Sequence, residues 1–167
     1  MDPLNHLLRS DQRETLQFFF AGLRDVTADE QVDEPALLYN ASVLAHFAST
    51  SVFSPDSLPT PRWLGDVFDR FVLDSAVRHD TEMMEWAAAQ CLLFTGFFGD
   101  QMHRRHNLDW YGHLGEDFYN LAAHSTEHIA RKRMMGRMSE EFQDWRRRYL
   151  KLSRELRDLP YLLTSPF

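Results

Sequence analysis

The pattern of apolar and polar positions along the chain is helical almost throughout. Apolar residues recur at steps of three and four, the spacing of one face of an α-helix, in four segments: residues 16–23, 37–48, 64–72 and 142–159. Between these segments Gly, Pro, Ser, Asp and Asn gather, as they do in turns and loops. No run of residues alternates between apolar and polar side chains over a length that would indicate a β-strand. The sequence therefore predicts an all-α fold.

One segment, residues 86–98, is apolar on nearly every side rather than along one stripe. Only Gln90, Thr95 and Gly96 interrupt it. A helix of this composition cannot face water on any side, so it belongs in a core. It is shorter than the roughly 18 residues of a membrane span, and charged residues come directly after it. The segment is therefore predicted to be the central helix of a soluble protein.

This central helix, at about residues 82–98, organises the predicted fold. The 167 residues and the hydrophobic content of 44% suffice for one domain that buries about 70% of the surface of its unfolded chain. We predict a single helical bundle over residues 1–167, with five to seven helices around the central one. Residues 160–167 are predicted to form a short flexible tail.

The single cysteine and the N-terminus bear on location. Cys91 lies in the middle of the central helix and has no second cysteine with which to form a disulfide. The chain begins Met1-Asp2-Pro3, without the basic region and apolar block of a signal peptide. A reducing, cytoplasmic setting without membrane contact is therefore predicted.

Charge is distributed unevenly along the chain, whose formal net charge is −7. Residues 1–100 hold 16 acids and 6 bases, whereas residues 101–167 hold 9 acids and 12 bases. The basic residues gather in two clusters, 131–137 and 146–157. Interspersed acids and the negative net charge disfavour binding to nucleic acid. An acidic surface, on a partner protein or on another copy of the chain, suits an arginine-rich face better.

Five basic side chains are the candidate partner-binding residues: Arg131, Arg133, Arg147, Lys151 and Arg154. The last three share one face of a helix. We therefore predict a non-enzymatic cytosolic protein that acts by protein–protein interaction, with a regulatory role and a homodimer left open. A nucleic-acid-associated regulator that uses residues 131–137 and 146–157 is the first alternative.

The second alternative is a zinc-dependent hydrolase, because His124, Glu127 and His128 match the H-x-x-E-H arrangement of one metalloprotease class. The two histidines would lie one turn apart if residues 118–130 are helical. No accompanying signature supplies a third ligand, and nucleotide-binding motifs are absent from the sequence. We therefore assign no catalytic residue, metal or cofactor. The histidines in the link at residues 103–113 are interpreted as exposed loop side chains.

A longer pattern extends from the central helix into the next aromatic segment: Cys91-Leu-Leu-Phe-Thr-Gly-Phe-Phe98, then Arg104-Arg105, Trp110-Tyr111, Leu114-Gly115 and Phe118-Tyr119. It resembles a pattern found in small all-helical bacterial proteins of uncharacterised function, mainly over residues 88–122. The resemblance implies a bacterial cytosolic helical domain and brings no active site with it. In physical terms the glycines allow helix backbones to approach, and the aromatic pairs fill the space between crossing helices.

Overall fold

A computed structural model describes residues 12–53 and 80–156 of the chain. This part contains seven α-helices, one π-helical segment and no β-strand, so the predicted all-α class is confirmed. The helices are α1 (Gln12–Val26), α2 (Glu34–Phe53), α3 (Thr81–Leu92), α4 (Gly99–Met102), α5 (Leu108–Ser125), α6 (Ile129–Glu140) and α7 (Phe142–Glu155), with the π-helical segment Leu93–Phe97 after α3. The apolar stripe at 64–72 and the tail at 160–167 lie outside the described residues.

The chain divides into two compact units. The first unit combines Met1–Leu58 with Lys151–Phe167, and the second unit is Pro59–Leu150. Helices α1 and α2 therefore belong to the first unit and α3 to α6 belong to the second, while α7 contributes residues to both. A single domain over residues 1–167 stays a prediction.

In the first unit α1 packs against α2. Their core contains Phe19, Leu23, Leu44 and Phe47, each at most 2% exposed. Phe19, Leu23 and Leu44 lie on the two apolar stripes that the spacing predicts, whereas Phe47 was not assigned to either stripe. The helical spacing over residues 37–48 also predicts Leu38 on the inner side of α2, and this prediction is wrong, because Leu38 is 46% exposed.

In the second unit the predicted central helix is confirmed in position and burial. Asp80 caps α3, since its carboxylate accepts a hydrogen bond of 3.1 Å from the backbone N–H of Met83. Every residue from 87 to 99 is buried. The helix is not α-helical to its end, however, because Leu93–Phe97 form a π-helical turn in which Phe98 N–H bonds to the Leu93 carbonyl.

Glycines bring α7 close to this central segment. A Cβ atom on Gly96 would lie 2.9 Å from the carbonyl oxygen of Arg146 and 2.9 Å from Cβ of Tyr149. The missing side chain therefore lets the α7 backbone approach the π-helical turn. Helix α5 packs against both α3 and α6, and Ser139 ties α6 to α5 by donating to the Glu116 carbonyl at 2.9 Å. Within the described ranges, no helix is long and apolar enough to cross a membrane.

Candidate interaction surface

The first two turns of α6 are a helix surface that the second unit leaves open. None of the six residues from Ile129 to Met134 is buried, and burial begins only at Met135. The side chain of Ile129 is 74% exposed, although a large apolar residue at such a position gains nothing from contact with water. A single exposed apolar side chain is common on protein surfaces, so what distinguishes Ile129 is the pair of exposed cations on the same face of the helix.

Hydrogen bonds at the start of α6 hold this exposed segment in place. The backbone N–H of His128 donates to the Thr126 hydroxyl at 3.2 Å, and Lys132 N–H donates to the His128 carbonyl at 2.8 Å. The Arg131 guanidinium pairs with Glu85 of α3 at 2.5 Å. The pair of Arg131 with Glu85 thus joins the exposed segment to α3, while the buried side chains of α6, Met135 and Met138, lie in its later turns.

Ile129, Lys132, Arg133 and Gly136 lie at positions i, i+3, i+4 and i+7 and so share one face of α6, which we call the α6 face. Lys132 and Arg133 are exposed and form no ion pair with any residue in the described ranges. A Cβ atom on Gly136 would meet no described atom within 4 Å. The face thus combines an exposed apolar side chain, two unpaired positive charges and an open stretch of backbone.

Several of the basic residues predicted to bind a partner instead form hydrogen bonds or ion pairs within the protein. Arg131 is held by Glu85, and the Lys151 ammonium donates to the Val26 carbonyl at 3.0 Å in the first unit. Arg147 lies 3.7 Å from Asp144, with both side chains 57% exposed. Arg154 is exposed at the end of α7, in the first unit. Of the five candidates, Arg133 alone combines exposure on the α6 face with the lack of an ion pair in the described ranges.

The cluster at 146–157 also differs from a solvated or phosphate-binding face. Arg148 is only 8% exposed and its guanidinium stacks over the Trp145 ring, 4.6 Å from the ring centroid. Arg146 is half-buried and donates to the Thr95 carbonyl of the π-helical turn and to Asp109, each at 3.4 Å. Because both arginines make these contacts within the protein, neither is available to bind a polyanion.

The proposed H-x-x-E-H site lacks the helix that it requires. Helix α5 ends at Ser125, Thr126 has an extended backbone and His128 is the N-cap of α6. The condition that residues 118–130 form one helix is therefore not met, and His124 and His128 do not lie one turn apart on a helix. His124 Nδ1 instead contacts the Asn120 carbonyl at 2.7 Å. Among the described residues, no group of three or more His, Cys, Asp or Glu side chains could hold a metal ion.

The cysteine offers no nucleophile either. Cys91 is fully buried, and burial raises the pKa of its thiol well above the usual range. The thiol therefore stays protonated, whereas a reactive cysteine has to be a thiolate that its substrate can reach. Its Cβ lies 2.9 Å from where a Cβ on Gly115 would be, so Cys91 is a packing residue.

A second surface, which the sequence interpretation missed, lies at the start of α5. Trp110 is 42% exposed, and its ring centroid is 4.9 Å from that of Tyr111. Phe94 of the π-helical turn contacts Tyr111 at 4.9 Å and His106 at 5.1 Å between ring centroids. We call Phe94, His106, Trp110 and Tyr111 the aromatic corner. The sequence could have indicated this surface, because Arg, Trp and Tyr occur close together around residues 104–111. These three residue types are common at the energetic centres of protein interfaces.

Comparisons with known proteins add no family to this description. No protein-family model, no curated protein and no solved structure matches the chain.

Proposed function

We propose that this is a non-enzymatic cytosolic protein that acts by binding another protein through the α6 face. The partner surface is acidic and carries an apolar side chain that packs on Ile129. One observation carries the proposal: Ile129, 74% exposed, begins an ordered helix and shares its face with two exposed cations that have no ion-pair partner in the described ranges.

The expected binding energy favours a protein partner whose surface is acidic and carries an apolar side chain. Covering an exposed Ile side chain contributes about 1.5–3 kcal/mol, which suits the centre of a small interface. Lys132 and Arg133 would form its rim, where charges raise the association rate and select an acidic partner. Gly136 leaves room for the partner to approach the helix backbone.

Nucleic acid is a weaker match for the same residues. Phosphate binding gains affinity from many simultaneous cation contacts, and Arg131, Arg146 and Arg148 are already engaged within the second unit. The net charge of −7 also opposes the approach of a polyanion. We therefore expect affinity for DNA or RNA at physiological salt no tighter than the nonspecific range of about 10⁻⁴ to 10⁻⁶ M.

Selection from a displayed library of random short peptides, with the full chain as bait, tests this proposal. We expect the selected peptides to be acidic and to carry a large apolar residue. Ile129→Ser should weaken their binding about tenfold or more, because an interface anchor is lost. Lys132→Ala with Arg133→Ala should weaken it most at low salt, where screening is least. Arg147→Ala, an exposed arginine off the α6 face, is the matched control and should change little.

Three results would count against the proposal, and a fourth would identify the partner. One is the selection of peptides without acidic enrichment, and another is acidic peptides that bind the Ile129→Ser variant as tightly as the unchanged protein. Either result would mean that the α6 face is not the binding surface. Sub-micromolar binding of an oligonucleotide that Lys132→Ala with Arg133→Ala abolishes would favour the nucleic-acid alternative. Self-association that Ile129→Ser abolishes, measured by sedimentation, would identify the partner as a second copy of the chain.

A further inference from the structure

The aromatic corner is separate from the α6 face. Trp110 lies in the first turn of α5, whereas α6 begins only after α5 has ended. The 18 residues of α5 span about 27 Å at 1.5 Å per residue. A ligand at one end of this helix would therefore not cover the other end.

We infer that the aromatic corner binds a peptide segment in which a large apolar or aromatic side chain is flanked by carboxylates. The exposed ring of Trp110 would receive the apolar side chain. Arg104 and Arg105, in the turn before α5, would receive the carboxylates. Trp, Tyr and Arg are the residues most enriched at the energetic centres of protein interfaces.

The helix cap fixes the backbone at Trp110, and the Trp110 ring packs against Tyr111. Asn107 caps α5 and accepts a hydrogen bond of 3.2 Å from the Trp110 backbone N–H. Edge-to-face contacts link Trp110 to Tyr111 and Tyr111 to Phe94, which is fully buried in the π-helical turn. A rigid aromatic surface loses little conformational entropy on binding, so more of the contact energy appears as affinity.

The charges around the corner leave the two arginines available. Both Arg104 and Arg105 are exposed, and neither forms an ion pair with any residue in the part of the chain that the structure describes. Asp109, next to Trp110, lies 3.4 Å from the half-buried Arg146 guanidinium. Arg146 thus partly offsets the charge of the exposed Asp109, and the positive charges that an incoming carboxylate would meet are those of Arg104 and Arg105.

A single-stranded nucleic acid could also stack on an exposed tryptophan, but the corner suits it less well. Nonspecific strand binding combines stacking with a positively charged groove that follows the backbone. Two arginines in one turn do not form such a groove, and the chain carries a net charge of −7. An acidic peptide needs only one or two ion pairs beside its anchor side chain.

The test is a peptide selection in which the bait carries Ile129→Ser, Lys132→Ala and Arg133→Ala, so that the α6 face cannot contribute. We expect recovered peptides to share an aromatic or large apolar residue beside Asp or Glu. Trp110→Ala should weaken them about 30-fold or more, as loss of a hot spot does. Arg104→Glu with Arg105→Glu, at two exposed positions that leave packing intact, should also weaken them. Asn120→Ala, exposed on the same helix, is the matched control.

Several outcomes would overturn the inference. One is the recovery of no acidic consensus, and another is full binding of the selected peptides to the Arg104→Glu, Arg105→Glu variant. Oligothymidylate that binds more tightly than the peptides, with the same dependence on Trp110, would assign the corner to nucleic acid. Because the bait lacks a functional α6 face, failure here leaves the selection on that face unaffected, and the reverse also holds.

Discussion

Replacing Leu92 by aspartate is expected to unfold the second unit. Leu92 is the last residue of α3 and is 0% exposed, at the point where the central helix enters its π-helical turn. An unpaired carboxylate buried there costs several kcal/mol, against a total stability of about 5–15 kcal/mol for a folded protein. We expect loss of the cooperative thermal transition and of the near-UV circular dichroism signal.

The matched control for this change is Leu38→Asp. The substitution is chemically the same, but the Leu38 side chain is 46% exposed, so its carboxylate can stay hydrated. Surface substitutions away from special features usually change stability by about 0.5 kcal/mol or less. A soluble Leu92→Asp variant with an unchanged melting temperature would mean that the core has been misplaced.

A methyl group at Gly115 is expected to destabilise the protein substantially. The added Cβ would overlap the ring of Phe142, which is fully buried, and would lie 2.9 Å from Cβ of Cys91. Neither neighbour can move without displacing α7 or α3. Overpacking of this kind costs about 1–3 kcal/mol, which corresponds to a fall in melting temperature of several degrees for a chain of this length.

Alanine at Gly136, by contrast, should stabilise the protein. Gly136 lies in the interior of α6, where an added Cβ meets no described atom within 4 Å. Alanine there removes backbone freedom from the unfolded chain and should stabilise the helix by about 0.5–1 kcal/mol. Thermal melts of Gly115→Ala and Gly136→Ala, measured side by side, test whether the first variant has a lower melting temperature and the second a higher one. Equal effects from the two variants would contradict the packing described for Gly115.

The sequence predicts those features of the fold that follow from the apolar pattern of one helix. Stripes at steps of three and four located α1, α2 and α7, and the all-apolar run located the central helix with its burial. The π-helical turn was not predicted, because the apolar spacing does not distinguish it from an α-helical turn, and its approach to α7 at Gly96 joins residues far apart in sequence. The exposure of Leu38 likewise depends on what packs against α2 and not on the spacing of apolar residues.

The two surfaces that we propose for binding could be predicted from the sequence only in part. The basic cluster on α6 was identified, and Arg133 proves to be exposed there without an ion pair in the described ranges. The sequence could not show which arginines the fold uses internally, as Arg146 is with Thr95 and Arg148 is with Trp145. Nor could it show that Ile129 faces water, since an isoleucine in a helix is usually a core residue.

Photo-cross-linking from position 129 tests the central claim most directly. A photoreactive residue replaces Ile129 in the cells that make the protein, and a second variant carries it at Arg147, which is exposed on α7. We expect a discrete protein adduct from position 129 whose yield falls when Lys132 and Arg133 are changed to alanine, and no such adduct from position 147. If position 129 gives no adduct, or both positions give the same adducts, the α6 face is not a binding surface.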